Sequence, residues 1–499
     1  MDKNFDFSEF SKQSKKGILI IYSNILYKIL RAAWVLLFVF IQRFSKIPET
    51  AIVYIYIGFA IFLILIFVRA YLLFENFQFK IADNQFILKQ GILKKTHTSI
   101  SFDRIQNINF KQNLIQQALD VYQVNIETAG SNKTEISIKA LPLHQANALK
   151  NQLSAKENNT RQEEEFIEEK PFLKIKPLEL LKVSLTENHL QSLLLFVALL
   201  LGLFQQLGDV FDGLGKGEVI DSFIDENTSA FHENIILFFI FFVLLIFTAL
   251  VTSFVRVFLF HFNLTVFIKK NAFEINQGLM TKKSIILKKE KIQHITISHN
   301  PIKKRLGISF ITFKQAVSGK VAQKKDKLIK IVGCKKQQVL EVKAMLFNFV
   351  NVDGFQKNNS DNYYKFRLYL YSSIFLILSN GGLFLSFKNS YIFLANIILI
   401  PLIIFLVELK FKKRYYTFDE ELLLIGSGTI ETHVTYLPFF KVQNIKLKQS
   451  YFQERKNIAD VIFQTASGKI KIPCLSKDLA LQIYNFTLFK VETSKQSWM

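Results

Sequence analysis

Apolar residues along this chain come in paired solid blocks, and behind each pair the pattern changes to alternation. The uncharged blocks are Ala51–Val68 (18 residues), Ile235–Val255 (21), Leu368–Phe387 (20) and Tyr391–Val407 (17), with Leu190–Leu207 as a fifth, more polar at its ends. About 20 apolar residues cross a hydrocarbon core of about 30 Å, so each qualifies as a membrane span. Ala32–Ile41 is short, and extending it backward takes in Lys28 and Arg31, charges that are expensive at mid-bilayer. The pattern therefore predicts an interfacial amphipathic helix over Gly17–Arg31. A span from Ala32 to Ile47 follows, with Arg43 and Lys46 reaching outward. Pro401 should kink the sixth span.

Behind each pair the alternation is that of half-buried strands. Phe77–Ile81, the turn Asp83-Asn84 and Phe86–Leu88 lead to Gly91. Leu264–Ile268, Lys270-Asn271 and Phe273–Asn276 lead to Gly278, and Tyr415–Phe418, Asp419-Glu420 and Leu422–Ile425 lead to Gly428. Fifteen residues after each glycine stands the Gln of one repeated phrase. Its copies are Arg104-Ile105-Gln106-Asn107-Ile108, Lys291-Ile292-Gln293-His294-Ile295 and Lys441-Val442-Gln443-Asn444-Ile445. Later turns fall at Ala129-Gly130, Ser318-Gly319 and Ser467-Gly468. Helical segments near Leu143–Leu153, Lys335–Phe349 and Ser476–Phe489 close the copies. A repeated unit of this kind decides the architecture before anything else does. The predicted fold class is an α+β membrane protein of three repeats. Each is a transmembrane helical hairpin followed by a small β-barrel or sandwich capped by a C-terminal helix.

Charge sets the orientation. The loop Gly208–Asn234 carries seven acidic residues against one Lys, net −6, whereas residues 261–362 carry 20 Lys/Arg against 6 Asp/Glu, net +14. Basic segments stay in the cytoplasm. The expected location is the bacterial cytoplasmic (inner) membrane, multi-pass, with both termini and all three basic domains inside. Lys and Arg number 63 against 40 acidic residues across 499 positions. Two cysteines build no disulfide framework. Cys334 and Cys474 follow the repeat and read as core positions.

The order of hairpin, strands, glycine, basic-aliphatic-Gln phrase and final helix resembles the bacterial pleckstrin-homology (PH) domain. Its membrane-flanked, YdbS/YdbT-like arrangement matches nearly the whole chain. The resemblance implies a PH-like domain in each copy and supplies no catalytic residues. The Leu-Gly pair usual after the Gln phrase is present at Leu306-Gly307. Leu119-Asp120 and Lys456-Asn457 depart from it. The expected limits are a tail and interfacial helix at 1–31, hairpins at 32–74, 190–260 and 366–410, and PH-like domains at 75–155, 261–350 and 411–490. An acidic linker with an interfacial segment occupies 156–189, a linker 351–365 and a tail 491–499.

Candidate binding residues are the recurrent Arg104, Lys291 and Lys441, the recurrent Gln106, Gln293 and Gln443, and the cluster Lys303-Lys304-Arg305. Against binding, aliphatics flanking the Gln suit a core, and a Gln can satisfy backbone groups at a strand edge. Gly91, Gly278 and Gly428 are expected at structural turns. Arg69 and Arg256, each 22 residues before its glycine, are expected to anchor spans at the headgroups. No phosphate loop, zinc-binding helix motif or nucleophile elbow occurs. No enzyme activity, cofactor, metal, nucleic acid or small-molecule substrate is expected.

The expected function is a membrane-proximal scaffold, its domains binding anionic lipid headgroups or protein partners, such as a single-repeat relative or a second copy. The alternative is transport, lipid handling or envelope-stress resistance through the six spans. The orientation is testable. A cysteine at Ser222 should be labelled by an impermeant thiol reagent on intact cells, and one at Ser318 should not; the reverse pattern overturns the topology.

Overall fold

The computed structural model describes residues 7–43, 48–128, 136–154, 170–187, 189–213, 235–269, 271–316, 328–347, 357–388 and 390–496. In repeat one, β1 (Ser11–Lys12) precedes the helices Gly17–Arg43 and Glu49–Glu75. Then come β2 (Gln78–Ala82), β3 (Gln85–Gln90), β4 (Thr96–Ser101), β5 (Ile105–Gln112), β6 (Tyr122–Thr128), β7 (Ile136–Leu141) and a helix, Leu143–Ser154. Repeat two has β8 (Leu173–Lys174), the helices Pro177–Leu185, His189–Gly213 and Ile235–His261, then β9 (Thr265–Ile268), β10 (Ala272–Gln277), β11 (Lys282–Lys288), β12 (Ile292–His299), β13 (Ile308–Gln315), β14 (Ile329–Lys335) and the helix Lys336–Phe347. Repeat three has β15 (Asn358–Asn359), the helices Asn362–Phe387 and Asn396–Lys412, then β16 (Tyr415–Phe418), β17 (Leu422–Gly428), β18 (Thr432–Pro438), β19 (Val442–Lys448), β20 (Ile458–Thr465), β21 (Gly468–Ser476) and the helix Lys477–Thr493.

The sheets do not respect the repeats. Their strand orders are β1-β2-β3-β4, β7-β6-β5-β11-β10-β9-β8, β14-β13-β12-β18-β17-β16-β15 and β19-β20-β21. Between β4 and β5 a short 3-10 turn, Phe102–Arg104, carries the chain from one sheet to another instead of pairing them. The copies are open sandwiches, so the barrel alternative does not hold. The first two sandwiches each lend their second sheet to the first sheet of the next copy, and the second sheet of the third copy stands alone. The cores follow: Leu422, Leu424 and Tyr436 of repeat three belong to the core built on Phe273, Phe310 and Phe313 of repeat two.

The lead-in segments are also corrected. The expected interfacial helix and first span form one helix, Gly17–Arg43. Its start packs on repeat one, with Ile20 against Val121 and Ala140, while Ile21 meets Ala70 and Phe74 of the following helix. Phe7, assigned to a tail, is fully buried in the first core and accepts a hydrogen bond from Ile81 N at 2.7 Å. Part of the expected linker 156–189 likewise belongs to repeat two: β8 pairs with β9, and Leu180 and Val183 are core. In the expected linker 351–365, β15 pairs with β16. The sequence hid this because two-residue strands show no alternation to read.

Among the described residues four helices are long and apolar enough to cross a membrane: Thr50–Glu75, Val243–His261, Asn362–Ser386 and Ser390–Lys412. Ser192–Leu203 is a shorter apolar helix. Pro401 lies inside the helix Asn396–Lys412. The acidic stretch 214–234 and the turns at 129–130 and 318–319 lie outside the described residues. Cys334 and Cys474 are fully buried, and burial pushes their thiols up to about 12 and about 11.

The departures from the Leu-Gly pair are conformationally silent. Asp120, Gly307 and Asn457 all have positive φ (50°, 66° and 51°), a region that Asp and Asn tolerate. The turn glycines are more demanding. Gly91, Gly278 and Gly428 have φ of +114°, +106° and +112°, and an added Cβ would lie 2.0, 2.1 and 1.9 Å from the carbonyl oxygen three residues on. Gly278→Ala should therefore lower stability by about 1–3 kcal/mol or more, read as a lower thermal midpoint in detergent. Gly58→Ala, in a helix with nothing within 4 Å, should be neutral or stabilising; equal effects would overturn the steric argument.

Candidate functional site

The repeated phrase is an interdomain strand edge. Its aliphatics point inward: Ile105, Ile108, Ile292, Ile295, Val442 and Ile445 are all buried. The backbone of β5 pairs with β11 of repeat two, Ile108 opposite Ile286. The backbone of β12 pairs with β18 of repeat three, Ile295 opposite Tyr436. The third phrase strand, β19, ends its sheet.

Polar residues lock these junctions. Asn107 and Gln315 exchange two amide hydrogen bonds at 2.6 and 2.8 Å across the first junction. At the second, His294, in the Asn107 position, meets the Ser467 hydroxyl at 3.1 Å. The hydroxyls of Thr296 and Thr435 lie 3.2 Å apart. Gln315 and Ser467 carried no signal in the sequence because their partners lie 208 and 173 residues away.

The predicted site residues are not gathered into one pocket. Arg104 and Gln443 are exposed, and Gln106 lies on β5. Gln293 is buried, and Lys291 pairs with Glu290 at 3.2 Å. Lys441 is buried, and its ammonium donates to the Glu290 carbonyl at 2.9 Å across the second junction. Desolvation lowers its pKa to about 8. Lys303, expected at lipid headgroups, is only 1% exposed. It lies over the Phe310 ring, 3.6 Å from the centroid, and pairs with Glu431 of repeat three at 2.5 Å. Burial lowers its pKa, with Glu431 opposing. A short helix, Pro301–Arg305, turns Lys303 inward and leaves Lys304 and Arg305 exposed. Arg69 and Arg256 are exposed near the ends of their helices.

A second recurrent feature escaped the sequence reading. Two residues after each turn glycine stands an exposed apolar tip: Leu93 (100% exposed), Met280 (54%) and Ile430 (58%). The short helices following the phrase strands expose Ile115, Ile302 and Phe452 at matching positions. The tips of repeats two and three sit beside helix ends. Gly278 N and Leu279 N donate to the Phe262 and Leu259 carbonyls, and the Lys413 ammonium donates to the carbonyls of Thr429 and Ile430 at 2.5 and 2.6 Å. Gln117 reaches the Leu279 and Met280 carbonyls, both at 3.2 Å, bringing a short helix beside the next repeat's tip. The fixed offset from the glycine was the signal available in the sequence.

Two clefts flank this region. One, of about 380 Å³, is lined by Gln13, Ile21, Leu73, Gly91, Ser137 and Lys139 among others. The other, of about 260 Å³, lies where Phe110 and Tyr122 meet Gln277 and Lys283. Among the described residues no group of three His, Cys, Asp or Glu could hold a metal.

Burial, helped by Lys314, holds the His294 pKa down at about 3 against an ordinary 6.5. A depressed folded pKa gives stability that is present above pH 6.5 and lost as pH falls towards 3, at about 1.4 kcal/mol per unit. His294→Asn, the residue that copies one and three carry here, should flatten that part of the acid response. Thermal midpoints of both proteins between pH 7 and 4 check this, and parallel curves overturn it.

Residues 31–157, 197–348 and 373–488 each match the bacterial PH domain family. The chain is also similar to a curated relative, UPF0699 transmembrane protein YdbT of Bacillus subtilis (strain 168). The two are 23% identical over 401 residues, covering 76% of this chain and 78% of the relative. With three matched segments spanning most of its length, the chain belongs to the bacterial PH domain family.

Proposed function

We propose that this protein is a non-enzymatic membrane scaffold in which three helix pairs, six spans in all, hold a fused block of three PH domains against the cytoplasmic membrane surface. The observation that carries this reading is the recurrence of exposed apolar tips, Leu93, Met280 and Ile430, the last two bonded beside helix ends. Lys94, Lys95, Lys304 and Arg305 are exposed around them. Apolar tips within a basic collar suit the boundary between acyl chains and anionic headgroups, where each Lys or Arg contributes up to about 1 kcal/mol.

Transport through the spans has less support. Asn380 and Asn396 in the third helix pair hydrogen-bond to each other at 3.0 Å. Lys365 and Tyr369 both engage Glu408. These groups serve helix–helix packing, which polar pairs do well within a bilayer.

The scaffold reading is tested in nanodiscs with brominated acyl chains. In a background with Trp34 and Trp498 replaced by Phe, Met280→Trp and Ile430→Trp should each be quenched. Unquenched, water-exposed emission from both would overturn membrane contact by the tips. Lys304→Gln with Arg305→Gln should reduce retention of anionic lipid by up to about 2 kcal/mol, measured by native mass spectrometry.

A further inference from the structure

Both strand junctions use one register. Opposite Ile108, Asn109, Phe110 and Lys111 stand Ile286, Ile285, Ser284 and Lys283. Opposite the equivalent Ile295, Thr296, Ile297 and Ser298 stand Tyr436, Thr435, Val434 and His433, themselves the equivalents of the first partners. One geometric step thus relates repeat one to repeat two and repeat two to repeat three. Among the described residues that step leaves two of these edges unpaired, one in the first repeat and one in the last: β4 in repeat one and β19 in repeat three. They are the counterparts of the two edges that meet inside the molecule.

We propose that the chain associates head to tail, the β19 edge of one copy pairing antiparallel with the β4 edge of a second copy. Applying the same register a third time sets Ile445, Lys446, Leu447 and Lys448 opposite Ser99, Thr98, His97 and Thr96.

Three further observations agree. First, Asn107 and His294 are 3% and 6% exposed because the next repeat covers them, whereas the equivalent Asn444 is exposed. Second, Asn107 bonds Gln315, which stands opposite Ile292 just as Thr128 stands opposite Ile105. The Thr128 hydroxyl is buried without a hydrogen-bond partner among the described residues, and Asn444 of a docked copy would arrive beside it. Third, charge across the proposed contact is of opposite sign: Glu454 is exposed on the short helix Tyr451–Glu454 that follows β19, and Lys94 and Lys95 are exposed on the glycine turn that precedes β4.

Lysines on β19 would ordinarily guard a free edge. Here Lys111, the equivalent of Lys448, already sits inside a junction opposite Lys283. The contact is heterologous, so repeated docking closes a ring or extends an array. Helices in one bilayer confine either form to the membrane plane.

The Thr296 and Thr435 hydroxyl contact at 3.2 Å marks the facing pair, and its counterpart is Lys446 with Thr98. Two full-length chains with different tags, one Thr98→Cys and one Lys446→Cys, are co-expressed and oxidised in native membranes. A disulfide-linked heterodimer should form, each variant alone should give none, and His97→Cys with Lys446→Cys should link far less. Thr296→Cys with Thr435→Cys within one chain is the internal control. Absence of the heterodimer while the control closes overturns the proposal. So does linkage in a single-variant sample, or capture of the edge cysteines by another protein such as a single-repeat relative.

Discussion

Backbone hydrogen bonding at one strand edge organises this molecule. A buried strand whose outer N–H and C=O groups lack partners is strongly disfavoured. The 3-10 turns after β4, β11 and β18 carry each chain segment away from closing its own barrel. Each phrase strand therefore needs an edge from elsewhere, and in two of three copies the next repeat supplies it. The three domains become one block, with Tyr436 and Leu424 of the third contributing to the core of the second.

Polar contacts give that block its alignment. A one-residue slip of β12 against β18 would turn the buried face of the strand towards solvent. It would also strand His294 and Lys303 without partners, each with a desolvation penalty, and a slip of β5 against β11 would do the same to Asn107 and Gln315. Lys303 illustrates the constraint: its stem covers Phe310 while its charge depends on a carboxylate from the next repeat. Such groups add little net stability when satisfied, yet they disfavour every other register.

The same block is tied to the helices at several points. The short strands β1, β8 and β15 bind the start of each helical segment to its own sheet, and the glycine turns of repeats two and three hydrogen-bond to helix ends. Helix orientation and sheet orientation are thus coupled. Apolar tips of this kind would be liabilities on a soluble domain, and in repeats two and three they sit beside helix ends.

The repeats, the helix pairs, the glycine turns and the inward-facing aliphatics were legible in the sequence because they rest on local periodicity and on conformations that few residues adopt. Gly91, Gly278 and Gly428 could be placed before any coordinates, since their geometry leaves no room for a Cβ. Partner choice between strands was not legible. An alternating segment states which face is buried but not which edge it joins, so β5 could equally have closed on β4. Lys303 looked like one of several exposed lysines until the fold set Glu431 beside it, 128 residues further along. Local composition determined the elements and their faces. Only the tertiary structure decided which edges meet, because that choice depends on long-range backbone pairing that no short window of residues encodes.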